Sequence, residues 1–198
     1  MIAYREEKIK NAICYFAKEH YKRTNRYIRQ TLLYKYLGFL DFESIKNRGK
    51  PVLGLSFTAY DKGPVPPEIR AKRDNYDTEC FSFFNTGGDY YNIMPKSDAD
   101  LSYFSKSEIE LMDNILGRYS RKELRNEEMI DAAIKDSHKI LAWEKARKRF
   151  HKKMRYEDMF PNIDKKSEEE LTPEEENFLI YEGLKRKSND NRRRIYLE

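Results

Sequence analysis

Apolar residues recur at helical spacing along the first quarter of the chain. Ile9, Ala12, Ile13, Phe16, Ala17 and His20 fall at i, i+3, i+4, i+7, i+8 and i+11, which is one face of a helix. Arg29, Leu32, Leu33, Tyr36, Leu37 and Leu40 repeat the spacing after a short polar connection at Arg23, Thr24 and Asn25, so a second helix packs beside the first. Asn47 and Gly49 break its pattern. From Leu53 the period changes to two. Leu53, Leu55, Phe57 and Ala59 alternate with Gly54, Ser56, Thr58 and Tyr60, which predicts a strand over 52–60 with one buried face. Proline cannot donate to a sheet ladder, so Gly63 and Pro64 end that strand near Asp61, and Pro67 followed by Glu68 opens a helix.

The stretches TECFSFF and YYNIM flank NTGGD, the pattern of a hairpin with a glycine-bearing five-residue loop. Ser105 with Glu108 forms a capping box before the helical stripe Ile109, Met112, Leu116 and Tyr119, and Ser120 with Glu123 repeats the device. The next helix begins near Asn126 and carries Ile130, Ala133, Ile134, Ser137 and Leu141 on one side before turning strongly basic. Beyond Phe160 and Pro161 the composition shifts. Residues 164–176 hold seven acids against two bases, and 185–194 reverse the balance, with Thr172, Pro173 and Glu175 marking a late helix over 173–187. The rest of 164–198 buries little apolar surface and is expected to be more mobile than the core. The pattern gives an α+β class, mainly α-helical: a compact domain over 1–160 with a small antiparallel sheet or hairpin in its middle, and a charged C-terminal extension over 161–198.

Composition bounds this picture without naming a function. The 198 residues are 39% hydrophobic and 37% charged with a net charge of +5, enough for one sizeable core and only a modest excess of base. No apolar run of signal-peptide length opens the chain, and none approaches the roughly 20 residues of a membrane span, so a soluble, cytoplasmic protein without membrane contact is expected. Cys14 in a helix and Cys80 in a strand then read as reduced core thiols.

Candidate chemistry is sparse. Asp136, Ser137 and His138 are consecutive in a helix, where neighbours point about 100° apart, so they cannot form a relay among themselves. Only three histidines are present, without CxxC, HExxH or a phosphate-loop pattern, and neither a catalytic residue nor a metal or other cofactor is expected. Residues 135–155 carry nine Lys or Arg against two acids, interleaved with Trp143, Phe150 and His151. Such a stripe is either a solvated helix face or a phosphate-neutralising surface, and any nucleic-acid binding would be weak and non-specific because no element presents polar groups to base edges. Fifteen tyrosines leave a protein interface open as well.

TLLYKYLGFLDF, then GKPVLGLSFTAYDKGPVPPEI, then SHKILAW resembles, in order and spacing, the Panacea domain of SocA-like antitoxins, a family with phage-associated members. The resemblance spans about residues 5–150. Its motif positions fall on Lys35, Asp41, Gly54, Phe57, Gly63, Pro64, Val65, Pro66, His138 and Trp143. The family implies a mainly helical domain with a small antiparallel sheet and a non-enzymatic role: neutralising a cognate toxin, with delivery of the toxin to a protease in one member. The chain lacks a fused helix-turn-helix segment, and its charged extension has no counterpart in the pattern.

Each motif position also has a plain structural reading. Asp41 caps or pairs away from Lys35, Trp143 is core, and Gly63, Pro64 and Pro66 form a strand-to-helix corner. Candidate partner-binding anchors are Phe84, Tyr90 and Tyr91 around the hairpin, and Arg147 and Arg149 on the basic helix. The leading expectation is an antitoxin whose toxin is encoded by the adjacent gene. A nucleic-acid-binding regulator, and a phage or mobile-element adaptor of a host protein, are the alternatives.

Overall fold

The computed structural model describes residues 2–195, and side chains through residue 188. Helix α1 (Arg5–Thr24) lays Ile9, Ala12, Ile13, Phe16, Ala17 and His20 into the core, as their spacing predicts. Its end at Asn25 leads into a two-residue strand, β1 (Ile28–Arg29), and then α2 (Gln30–Arg48), which Gly49 terminates with a positive φ. Helix α2 is buried on nearly every side, the signature of a central helix, and the other elements gather around it.

The β component is two small antiparallel sheets. Strands β2 (Phe57–Tyr60) and β3 (Gly63–Val65) form a hairpin, extended on the far side of β2 by β6 (Lys153–Met154). The strand expected over 52–60 is therefore shorter. Residues 53–56 keep the in-out alternation, but the amides of 53–55 turn inward to a side chain of α2 instead of a neighbouring strand. Gly63 and Pro64, expected only to end a strand, begin one themselves: Ala59 pairs with Pro64 and Tyr60 with Gly63. Pro66 and Pro67 then open α3 (Pro67–Lys72) as anticipated.

The second sheet joins β4 (Phe81–Gly87), β5 (Tyr90–Pro95) and β1, in the order β1-β5-β4. Its hairpin turn is tighter than the expected five-residue loop, because the ladder continues through a bulge at Asn85 to the Gly87–Tyr90 pair. Cys80 lies just ahead of β4 rather than within it; both cysteines are free and buried, with the Cys14 thiol 3.5 Å from the Cys80 carbonyl.

Helix α4 (Lys106–Tyr119) starts at the expected capping box, Ser105 with Glu108. The repeat expected at Ser120 and Glu123 is absent. Ser120 instead closes α4, and α5 (Asn126–Ser137) begins beyond it, with Glu128 accepting the Arg125 amide at 2.7 Å. The basic stripe is not one helix: the chain turns at 138–140, restarts as α6 (Leu141–Arg147) and ends in β6. The late helix α7 (Pro173–Ile195) runs past the expected 187, and residues 196–198 of the extension lie outside the described residues. Phe178 of α7 packs with Phe160 against Ile45, so the extension contributes a small apolar cluster at the end of α2. The described residues are 59% helical with seven α-helices and two three-stranded sheets, a mainly α fold with a small β component. None of these helices is long and apolar enough to cross a membrane.

Candidate functional site

Helix α2 carries two charged side chains into the interior, and the motif residues collect around them. Asp41 is fully buried. After Gly49 the chain reverses, and residues 53–55 pass the Asp41 carboxylate. Its Oδ1 accepts the Leu53 amide at 2.6 Å and the Gly54 amide at 3.3 Å, while Oδ2 accepts the Leu55 amide at 2.9 Å. Gly54 makes this crossing with φ +64, and a Cβ there would lie 2.6 Å from Ile2. The Tyr156 hydroxyl completes the set, 2.8 Å from Oδ2 and 2.7 Å from the Leu55 carbonyl. Burial pushes the Asp41 carboxyl up, and the Leu53 and Leu55 amides, the Tyr156 phenol and the Gly54 amide pull it back. Burial, reinforced by Asp41, drives the Tyr156 phenol well above its ordinary range.

Lys35 is only 1% exposed, and its ammonium donates to the Pro64 carbonyl at 3.0 Å. Desolvation lowers its pKa to about 7, and the charge of Lys62 adds to that effect. Gly63 is required here. It adopts φ +90, and a Cβ would meet the Ser137 hydroxyl at 2.2 Å and the Lys35 stem at 2.9 Å, so β3 threads closely between α2 and α5. Phe57 tilts against Phe42 with ring centres 5.4 Å apart, half-buried Val65 pairs with Thr58, and Pro66 precedes α3.

His138 and Trp143 sit at the far end of the same hairpin, stacked at 3.9 Å and nearly parallel. The indole donates to the Tyr60 carbonyl at 3.2 Å. Trp143 is half-buried, so the reading of it as core is corrected: it braces the β2–β3 hairpin from outside. Asp136, Ser137 and His138 diverge as helix geometry requires. Asp136 accepts from Tyr119 and Lys139, Ser137 donates to the Ile134 carbonyl, and the His138 Nε2 is buried without a partner.

The hairpin anchors differ in freedom. Tyr90 is 65% exposed, Phe84 is half-buried edge-on to Tyr27, and Tyr91 donates to Asp74 beneath the Arg73 guanidinium. The two arginines are engaged inside the fold. Arg147 pairs with Asp61 at 2.6 Å and donates to the Ala59 carbonyl, and Arg149 makes two bonds of 2.5 and 2.6 Å to the buried Asp158. With Lys139, Lys148 and Arg155 also paired to acids, five of the nine cations of the stripe are matched within the molecule. The stripe is thus less free to neutralise phosphates than its composition implies.

Sequence reasoning missed Tyr156 and Asp158, and read Ser120 only as a helix cap. Ser120 closes a buried cluster with its hydroxyl 2.8 Å from His20 Nδ1 and 3.0 Å from the Tyr36 hydroxyl. Burial, with Arg26 adding, lowers the His20 pKa to about 4. The pair has the distance of a nucleophile and base, but it is sealed, and no carboxylate bonds the imidazole among the described residues. No group of three His, Cys, Asp or Glu suited to a metal ion occurs among them either.

A central helix thus holds two buried charged side chains against the β2–β3 hairpin and the loop that precedes it. Residues 33–135, somewhat more than half the chain, match the family described as antitoxin SocA-like, Panacea domain, and the chain belongs to that family. The match takes in Lys35, Asp41, Gly54, Phe57 and Gly63–Pro66, and it stops short of His138 and Trp143. Membership sets the chain among antitoxin-like proteins, with a toxin as partner in general terms. No curated protein and no solved structure matches the chain.

Proposed function

We propose that the protein is a cytoplasmic antitoxin that neutralises one cognate toxin by direct contact, the toxin being encoded by the adjacent gene. Family membership carries the reading, and the surface of the β4–β5 hairpin supports it. Tyr90 stands 65% exposed at the turn, with Tyr91 and the Tyr27–Phe84 pair beside it. Tyrosines at a surface are among the groups that dominate interface energies, each worth roughly 2 kcal/mol or more at a hot spot. Arg147 and Arg149 serve the fold first, because each already neutralises an acid of this chain. Residues 1–160 form the antitoxin domain, and 161–198 are an extension seated through Phe178.

The test is co-expression with the adjacent gene product, followed by co-purification. Alanine at Phe84 and Tyr90 together should abolish protection while the thermal midpoint stays within about 3 °C of the parent, since neither side chain is core. Protection without any complex that can be isolated or cross-linked would remove the contact reading. Delivery to a protease is the alternative mode for the same role, and it requires a toxin half-life that shortens when the antitoxin is present.

A second reading rests on Phe150, 93% exposed and followed by His151, Lys152 and Lys153. An aromatic among cations suits weak, sequence-tolerant contact with single-stranded nucleic acid.

A further inference from the structure

Gln30 and Thr31, in the first turn of α2, line a cavity of about 320 Å³ together with Tyr34, Lys35, Lys62 and Arg70. That volume lies in the range of small-ligand sites, roughly 300–1,000 Å³. The charges on its wall do not balance. Lys35, Lys62, Arg70 and Arg73 face Asp61 and Asp89. Asp61 is drawn away by Arg147 at 2.6 Å, while Asp89 is held by Arg73, with Arg70 at 3.6 Å. Lys35 and Lys62 are left with no carboxylate partner among the described residues.

Lys35 is the sharper case. An ammonium has three donors, and the Pro64 carbonyl takes one. A buried cation with unspent donors is unfavourable unless a counter-charge reaches it, and Lys35 lines this cavity while only 1% exposed. At the same wall α2 begins without a side-chain cap and without an acid in its first turn, and Thr31 adds a hydroxyl to the lining.

We propose that this cavity binds the phosphoryl group of a small anionic ligand, with Lys35 at its depth, Lys62 at its mouth and Thr31 at the start of α2 as the contacting residues. A phosphoryl group suits the wall better than a carboxylate does. Its oxygens spread tetrahedrally toward donors on α2 and on the β2–β3 turn, and its double negative charge matches the two lysines that lack a carboxylate partner among the described residues. Tyr60, with Arg70 lying 5.6 Å from its ring, offers an adjoining flat surface for the remainder of such a ligand. Neither Phe84 nor Tyr90 lines the cavity, although it adjoins the hairpin: Thr31 and Lys62 also line a neighbouring pocket with Tyr90 and Tyr91.

Isothermal titration of the full chain with inorganic phosphate, pyrophosphate, ADP and acetate tests the assignment. The expected result is binding of one phosphate-bearing ligand per chain and none of acetate. Lys35→Met and Lys62→Ala should each weaken it by at least about tenfold, while Lys106→Ala, at the exposed start of α4, leaves it unchanged. Inorganic phosphate binding as tightly as ADP would identify the free ion as the ligand, and tighter ADP a nucleotide. No binding up to roughly 10 mM, acetate equal to phosphate, or an equal loss in Lys106→Ala would overturn the proposal. Because Lys62 is exposed, its variant reads binding even if Lys35→Met fails to fold.

Discussion

Lys35 and Asp41 stand on one helix, both withdrawn from water, and the fold treats them in opposite ways. Asp41 meets three backbone amides and a phenol, so its charge is shared over donors that the chain itself delivers. Lys35 meets one carbonyl. The difference separates two uses of a buried charge. A saturated one fixes the path of the chain, whereas an under-saturated one destabilises the fold and is retained for something outside it.

Removing the saturated member should have the largest effect. Asp41→Ala strands the amides of 53–55 and the Tyr156 hydroxyl, and it should lower stability by about 4 kcal/mol in urea unfolding, with Asp41→Asn falling between. A loss below about 1 kcal/mol would show that loop 53–55 holds without its clamp. Lys35→Met should act with the opposite sign, raising stability by about 2 kcal/mol near neutral pH. The folded-state pKa, about 7, lies below the ordinary 10.5, so the native state is penalised fully below pH 7 and ever less as pH rises toward 10.5. The advantage of the methionine variant should therefore be greatest near pH 6 and fade near pH 10, and a variant less stable than the parent at pH 6 would break the comparison. The smallest effect is expected at Trp143, which braces the hairpin carrying Pro64 but is half-buried. Trp143→Ala should cost about 1–2 kcal/mol in thermal unfolding, below the 3–5 kcal/mol of a fully buried aromatic.

The two faces of this comparison were unequally legible in the sequence. Helical spacing located α1 and α2 because burial along a helix is periodic, and all six residues named on the α1 face are in the core. Ser105 and Glu108 were readable because a capping box is local. Asp41 could be recognised as a motif position, but not as a clamp. A carboxylate that bonds amides 12 to 14 residues away, and a tyrosine 115 residues away, leaves no periodic trace. The alternation from Leu53 to Ala59 was real, yet it reported which side chains are buried and not where the amides bond. The same limit hid β3: a proline still pairs when its missing donor faces away from the ladder.

The Tyr156 hydroxyl gives Asp41 a place in time as well as in space. The ribosome makes Asp41 and its amide donors within one short stretch, so the clamp can close on itself almost as soon as residue 55 is free. Its last donor follows 115 residues after Asp41, which at about 5–20 residues per second is a wait of roughly 6–23 s. During that interval the nascent chain carries a central helix whose carboxylate is incompletely shielded, and β2 lacks its β6 neighbour. A domain assembled in this order reaches its finished form only after residue 156 has left the ribosome, so every copy passes through seconds in which its centre is folded and its clamp is incomplete.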